Sequence, residues 1–123
     1  MKKAVMVIGV AFVAAFVVVP AFAQDPVKVA PQAFKERLNN DKVRVLEYTS
    51  KPGSKEPMHT HGEAVLYVIH GGKFKSTTAD GVSKVIVYKT GDVLWRDALT
   101  HTGENVGTTE MRALVIEIKG KRP

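Results

Sequence analysis

The sequence predicts an all-β fold, an antiparallel sandwich or barrel of short strands. From residue 42 onward, runs rich in β-branched and aromatic residues recur at spacings of about 8–12 residues, with Gly, Asp and Asn between them. The run Val65–Ile69 is apolar at every position, as in a strand buried on both faces. No convincing helical pattern follows Asn39.

The rest of the chain after residue 42 is also predicted to form strands and turns. Gly71-Gly72 is typical of a hairpin turn between two of them. Met111–Ile118 is apolar on both faces, which predicts cover either by a second sheet or, in a homodimer, by a second subunit. The other predicted strands are Val43–Tyr48, Lys73–Thr78, Lys84–Lys89 and Val93–Trp95.

One short helix is expected before the strands. Phe34 and Leu38 are four residues apart in Gln32–Asn39, and the polar residues that begin at Asn39 provide a stop. The chain thus divides into residues 1–23, an N-terminal lead with this helix at 24–41, and a β domain at 42–119.

The first 23 residues have the layout of a secretory signal peptide. Lys2 and Lys3 precede the apolar run Ala4–Val19, and Ala21-Phe22-Ala23 is a small-residue cleavage pattern. The apolar run is shorter than the ~20 residues that span a bilayer. We expect cleavage after Ala23, export to the bacterial periplasm, and no stable membrane association afterwards.

The composition excludes several classes of function. The 18 basic and 12 acidic residues give a net charge of +6, and without Lys2 and Lys3 the 16 remaining basic residues leave +4. Charges alternate, as in Lys35-Glu36-Arg37, and no basic run is interleaved with aromatic residues, so nucleic acid is not an expected partner. The absence of cysteine excludes disulfides and thiolate metal sites.

Three histidines form the candidate site. His59 and His61 are two residues apart, so on a strand they project from the same face about 7 Å apart. Such a pair can converge on one divalent ion, and His101 is the candidate third ligand. His70, at the end of a strand, is interpreted as a surface residue.

These segments together resemble the cupin superfamily, specifically small single-domain cupins of the type-2, RmlC-like kind with undefined function. The resemblance covers residues 44–119. It implies a double-stranded β-helix (jelly-roll) barrel with one metal bound by His59, His61 and His101. The first cupin motif is matched by Gly53, His59, His61 and Gly72, and the second by Gly91, Asp92, His101 and Asn105.

The sequence departs from the cupin pattern at three positions. The frame places the usual glutamate ligand at Val65, which cannot bind a metal. Glu63 could replace it only if the strand is bulged there. In the second motif Asp97 and Leu99 stand where proline and glycine are usual.

A three-histidine site has chemical consequences. Neutral imidazoles leave the full +2 charge of the ion uncompensated, which favours a small anionic ligand in its open positions. Nitrogen ligands favour a transition metal, Zn, Fe, Mn, Ni or Cu, over Mg or Ca. Binding should weaken below the usual histidine pKa of about 6.5.

Two further residues are considered near the site. Tyr67 has the same strand parity as Val65 and is expected to point into the barrel, where its phenol could act as a general acid. Arg96 is expected to pair with Asp97 near the mouth, where an arginine could also attract an acidic substrate.

Three functions agree with this pattern. The first is a metal-dependent enzyme, dioxygenase-like or isomerase/lyase-like, that acts on a small anionic molecule. The second is a non-catalytic periplasmic module that binds a small ligand or a metal. The third is a degenerate cupin shell used for interactions, which the residues at 65, 97 and 99 favour.

Overall fold

The computed structural model describes residues 2–14 and 24–120. Residues 2–14 form no helix or strand, and the cleavage position expected after Ala23 lies at the edge of a stretch outside the described residues. Within the described part of the chain, no helix has the length and apolar character needed to cross a membrane.

One short helix and a succession of strands make up residues 24–120. The helix α1 is Pro26–Val29. The strands are β1 (Phe34–Asn39), β2 (Val43–Ser50), β3 (Lys55–His61), β4 (Ala64–His70), β5 (Gly72–Thr78), β6 (Ser83–Tyr88), β7 (Val93–Arg96), β8 (Leu99–Asn105) and β9 (Met111–Ile118).

The strands form two antiparallel sheets. The first has the order β1-β2-β9-β4-β7 and the second the order β3-β8-β5-β6. Strands from distant parts of the chain are therefore neighbours, as in a jelly roll. The predicted all-β fold and the strands from residue 43 onward are confirmed.

The core lies on the inner faces of the sheets. Along β9, buried Met111, Ala113 and Val115 alternate with the less buried Leu114 and Ile116, as the period of two in a strand requires. Leu46 on β2 is fully buried in the same cluster.

The predicted helix over Gln32–Asn39 is wrong. Residues 34–39 form β1, in which Phe34 pairs with Tyr48 and Leu38 pairs with Val45. Phe34 is 4% exposed and Leu38 is 49% exposed, so the two residues do not share the buried face that a helix would give them. Pairing with β2 therefore overrides the four-residue spacing.

The short N-terminal helix occurs earlier in the chain. Asp25 caps α1 by accepting a hydrogen bond from the Val27 backbone N–H, and Pro26 occupies the first turn. The same Asp25 carboxylate accepts two hydrogen bonds from the Arg44 guanidinium on β2. This pairing ties the N-terminal segment to the first sheet.

The hairpin turn predicted at Gly71-Gly72 is also wrong. β4 and β5 belong to different sheets, so the chain crosses between the sheets at this point. A Cβ on Gly71 would overlap the backbone carbonyl of Tyr88. Glycine is required here by close backbone approach rather than by a tight turn.

The outer face of the first sheet carries an apolar row. Each residue of this row pairs with the next one on the neighbouring strand, across all five strands of the sheet. The residues at the two ends of the row are each about half exposed. Homodimer formation remains a prediction from the sequence. The row consists of Leu38, Val45, Ile116, Val65 and Trp95.

Phe34→Ala should lower the free energy of unfolding by about 3–5 kcal/mol, because it removes a buried aromatic side chain. Leu38→Ala, on the exposed end of the same strand, is the matched control and should change it by about 1 kcal/mol or less. Urea unfolding measures both variants. Equal effects would contradict the assignment of Phe34 to the core.

Candidate metal site

The three predicted histidines meet inside the barrel. β3 and β8 pair so that His59 lies directly opposite His101, and His61 lies two residues further along β3. The side chains are nearly completely buried, with exposures of 1%, 1% and 2% for His59, His61 and His101. One candidate ligand atom from each lies within 4.8 Å of the other two.

Hydrogen bonds orient two of the imidazoles. His59 Nδ1 lies 2.7 Å from the carbonyl oxygen of Pro57, which can only accept, so Nδ1 carries the proton and Nε2 has the free lone pair. This Nε2 is buried without a hydrogen-bond partner. His101 Nδ1 lies 2.7 Å from the hydroxyl of Ser76, which leaves its Nε2 for a ligand.

A carboxylate lies beside the third imidazole. Glu117 Oε2 is 3.6 Å from His61 Nδ1, which itself has no hydrogen-bond partner. Glu117 is 8% exposed and accepts a hydrogen bond from the backbone N–H of Gly62 at 3.1 Å. Carboxylates in this relation to a histidine commonly orient the ring and raise its basicity as a metal ligand.

Burial keeps the cluster neutral. It lowers the pKa of His59, and it lowers the pKa of His61 and His101 to about 2, with further lowering from the positive charge of Arg96. A histidine must be neutral to bind a metal. The loss of binding below pH 6.5 expected from the sequence should therefore move to lower pH as long as the protein stays folded.

The donor set fits a transition metal. The buried His59 Nε2 has no hydrogen-bond partner, and such an atom is costly unless something binds it. Metal–nitrogen distances are about 2.0–2.1 Å for zinc, so small side-chain movements would let one ion bind all three rings. Among the described residues, the cluster that could hold a metal is this triad.

The other sequence-predicted site residues lie elsewhere. Ala64, Leu66 and Val68 form the buried face of β4, so Val65 and Tyr67 point outward. Tyr67 is 43% exposed, and its prediction as a pocket acid is wrong. The inward position is Leu66. Glu63 lies in the bend between β3 and β4 and is outside the cluster.

A second carboxyl group, Glu56, was missed by the sequence analysis. Glu56 is three residues before His59, a spacing that places two residues on opposite faces of a regular strand. The β3–β8 register shifts between them, and this bulge turns Glu56 inward. A Cβ at the facing Gly103 would overlap the carboxylate, so glycine makes room for it.

Glu56 is held as a buried acid. It is 3% exposed, and the Tyr48 hydroxyl donates a hydrogen bond to Oε1 at 2.6 Å, while Oε2 has no partner. Desolvation by burial raises the pKa of Glu56, and the same burial raises the pKa of Tyr48. The carboxyl group lines the cavity that also contains His59 and His101.

Arg96 points into the barrel rather than pairing with Asp97. Asp97 instead accepts a hydrogen bond from the Trp95 indole at 3.0 Å. Arg96 Nε and Nη2 are buried without hydrogen-bond partners. Arg96 on β7 pairs with the fully buried Ala64 on β4. Because paired residues point to the same face of a sheet, Arg96 lies on the inner face.

Two spaces that share lining residues lie beside the histidines. The inner cavity of about 40 Å³ is walled by Phe34, whose ring centroid is 5.2 Å from that of His59 and 5.5 Å from that of His61. A larger mouth of about 360 Å³ opens between β6 and β7. His101 and Arg96 line both spaces.

Comparison with known proteins identifies the fold family. A cupin domain from Bordetella pertussis Tohama I matches with a TM-score of 0.65 and 26% sequence identity, over 71% of this chain and 92% of that chain. The chain has the double-stranded β-helix fold of a small cupin domain. An RmlC-like cupin from Methanocaldococcus jannaschii matches with a TM-score of 0.57 and 17% identity, over 71% of this chain and 79% of that chain.

A catalytic member of the fold also matches. Oxalate decarboxylase of Bacillus subtilis, a protein with Mn(II) centres, has a TM-score of 0.50 and 23% identity, over 68% of this chain and 23% of that chain. At this identity the likeness concerns the cupin fold alone. No protein-family model matches the sequence, and a search of curated proteins finds no match.

Glu56→Gln should stabilise the protein at pH 7 by on the order of 1–2 kcal/mol, because a neutral amide replaces an incompletely bonded buried carboxyl group. The pKa of Glu56 is raised on folding, so its cost is absent below the unfolded pKa of about 4.3 and grows as pH rises. Urea unfolding at pH 7 and pH 4 measures this.

At pH 4 the variant and the wild type should be equally stable within about 0.5 kcal/mol. Glu104→Gln, on the neighbouring strand with a carboxylate that faces Lys55, is the control. A pH-independent effect of Glu56→Gln would show that the amide changes packing rather than removing a buried acid.

Proposed function

We propose that this cupin binds one divalent transition metal through His59, His61 and His101 and acts as an enzyme on a small anionic molecule. The observation that carries the proposal is the buried triad, in which Nε2 of His59 has no hydrogen-bond partner and one ligand atom of each ring lies within 4.8 Å of the other two. Bound there, a metal would supply Lewis acidity or an oxygen-activating centre.

The electrostatics of the site support an anionic substrate. Burial keeps the three imidazoles neutral, so the triad would contribute no charge to offset that of an ion. β4 presents Leu66, which lines the inner cavity, where a carboxylate ligand would otherwise be expected. An anion is the natural complement in the remaining coordination positions.

Glu56 supports catalysis rather than binding alone. A carboxyl group whose pKa is raised by burial, in the cavity that the three histidines also line, can hold or release a proton during a reaction. Tyr48 fixes its orientation through the 2.6 Å hydrogen bond. We assign to Glu56, rather than to the outward-pointing Tyr67, the role of a proton-transfer group.

A non-catalytic binding module is the second candidate. The apolar Leu66 at the inward position of β4 favours it, because no carboxylate from that strand tunes the metal. A degenerate shell is disfavoured, since it would have no physical reason to keep three buried imidazoles at a cost in desolvation. Fold alone does not distinguish catalysis from binding.

Export to the periplasm is part of the proposal and rests on the sequence of residues 1–23. A periplasmic protein would meet its metal and ligand outside the cytoplasm. Cell fractionation of the full chain, followed by mass measurement of the mature protein, tests export and cleavage after Ala23.

Protein purified without a histidine tag and reconstituted with Zn²⁺ should contain about one metal ion per chain. His101→Ala should lose at least about tenfold in affinity, because it removes one of three ligands. His70→Ala, on the exposed end of β4, is the matched control and should retain the metal. Mass-spectrometric metal analysis after dialysis measures occupancy.

A wild-type protein that stays empty after reconstitution would refute both metal-dependent functions. If the wild type is loaded, Glu56→Gln separates the two candidates. An enzyme should lose turnover in this variant with its metal content unchanged, whereas a binding module should bind anions equally well in both proteins.

A further inference from the structure

We propose that Arg96 anchors the carboxylate of a small ligand whose apolar body occupies the mouth of the barrel. The inference rests on the proposed function and specifies its ligand: a carboxylic acid with an aliphatic or aromatic body. Arg96 is assigned here as the residue that determines this specificity.

The first argument is the unmet bonding capacity of Arg96. An arginine guanidinium has five N–H donors and remains charged at any ordinary pH. Nε and Nη2 of Arg96 are buried and lack hydrogen-bond partners. Buried N–H donors without partners are costly, so a ligand that bonds both nitrogens would recover that free energy.

The neighbouring carboxylates are engaged elsewhere. Asp97 accepts a hydrogen bond from the indole of Trp95. Glu117 accepts one from the Gly62 backbone, and its other oxygen lies 3.9 Å from Arg44. No ion pair within 4.0 Å joins Arg96 to an acidic side chain in the described part of the chain.

The second argument is the position of Arg96 between the two spaces. It lines the inner cavity with the three histidines and lines the mouth with His101. An anion held by Arg96 in the inner cavity would therefore share that space with the three histidines. The inner space of about 40 Å³ suits a head group rather than a whole ligand.

The third argument is the chemistry of the mouth. Its volume of about 360 Å³ falls in the lower part of the range for small-molecule sites. Most of its lining is apolar, so it favours an apolar body behind the charged head group. The apolar lining residues include Leu66, Phe74, Val82, Ile86, Leu94 and Leu99.

A carboxylate matches the geometry of arginine. The planar fork of the guanidinium bonds two carboxylate oxygens at once, which a lysine cannot do. Nε and Nη2, the two unpartnered nitrogens, are on the same edge of the guanidinium and form one such fork. The fork and the apolar mouth together select an amphipathic acid.

Hexanoate and its uncharged analogue 1-hexanol are suitable probes. Their binding is measured by NMR titration of the full domain, metal-free and zinc-loaded. The wild type should bind hexanoate about 10- to 100-fold more tightly than hexanol, and Arg96→Met should abolish this preference. Arg96→Lys should lose most of it, because the fork is gone.

Lys84→Met is the matched control. Lys84 lines the mouth but is exposed, so loss of its charge should change hexanoate affinity by about twofold or less. Arg96→Met should also raise the melting temperature of the ligand-free protein by a few degrees, because it removes two buried N–H donors that have no hydrogen-bond partner.

Three results would overturn the proposal. They are equal affinity of the wild type for hexanoate and hexanol, unchanged hexanoate binding in Arg96→Met, and tighter binding of butyl phosphate than of hexanoate. The metal-free titration keeps this test separate from the proposed function. Loss of metal binding with an intact Arg96 preference would refute the triad's role alone.

Discussion

His59 and His101 lie opposite each other because β3 and β8 pair in one antiparallel register, and the site depends on that pairing. A slip of one residue would turn the histidines on the slipped strand to the outer face. The bulge between Glu56 and His59 belongs to the same arrangement. It brings the carboxyl group to the histidine side of the strand, so Glu56 and the three histidines line one cavity.

The interior contains several polar side chains whose burial lowers the stability of the folded state. Burial disfavours the charged form of five side chains in the interior. They are Glu56, Arg96 and the three histidines. Each such group costs free energy in the absence of a partner. Retaining them in a small domain without disulfides is understandable if ligands bind there, because binding would then stabilise the folded state.

The N-terminal segment completes the site although it precedes the predicted domain. Phe34 contributes a wall against His59 and His61, and the Asp25–Arg44 ion pair holds this segment to the first sheet. Arg44 is in turn near Glu117, which lies beside His61. Contacts therefore run continuously from the N-terminal segment to His61.

The sequence by itself determined the fold class, most strands and the histidine triad. Alternation and turn residues are local signals, and the spacing of His59 and His61 fixes their common face once a strand is assumed. His101 was found because two ordered motifs have a characteristic separation. These features depend on residue order and on regular strand geometry.

Only the tertiary structure decided the rest. β1 is a strand because β2 offers it a partner, and the four-residue spacing in Gln32–Asn39 could not reveal that. The inward face of β4 is set by its pairing with β7 and β9, which made Leu66, not Val65, face the site. A bulge in β3 turns Glu56 inward. Pairing of β4 with β7 and β9, which are distant in the chain, places Arg96 and Glu117 on the inner face. Long-range pairing, which no local pattern records, places these side chains around the histidines.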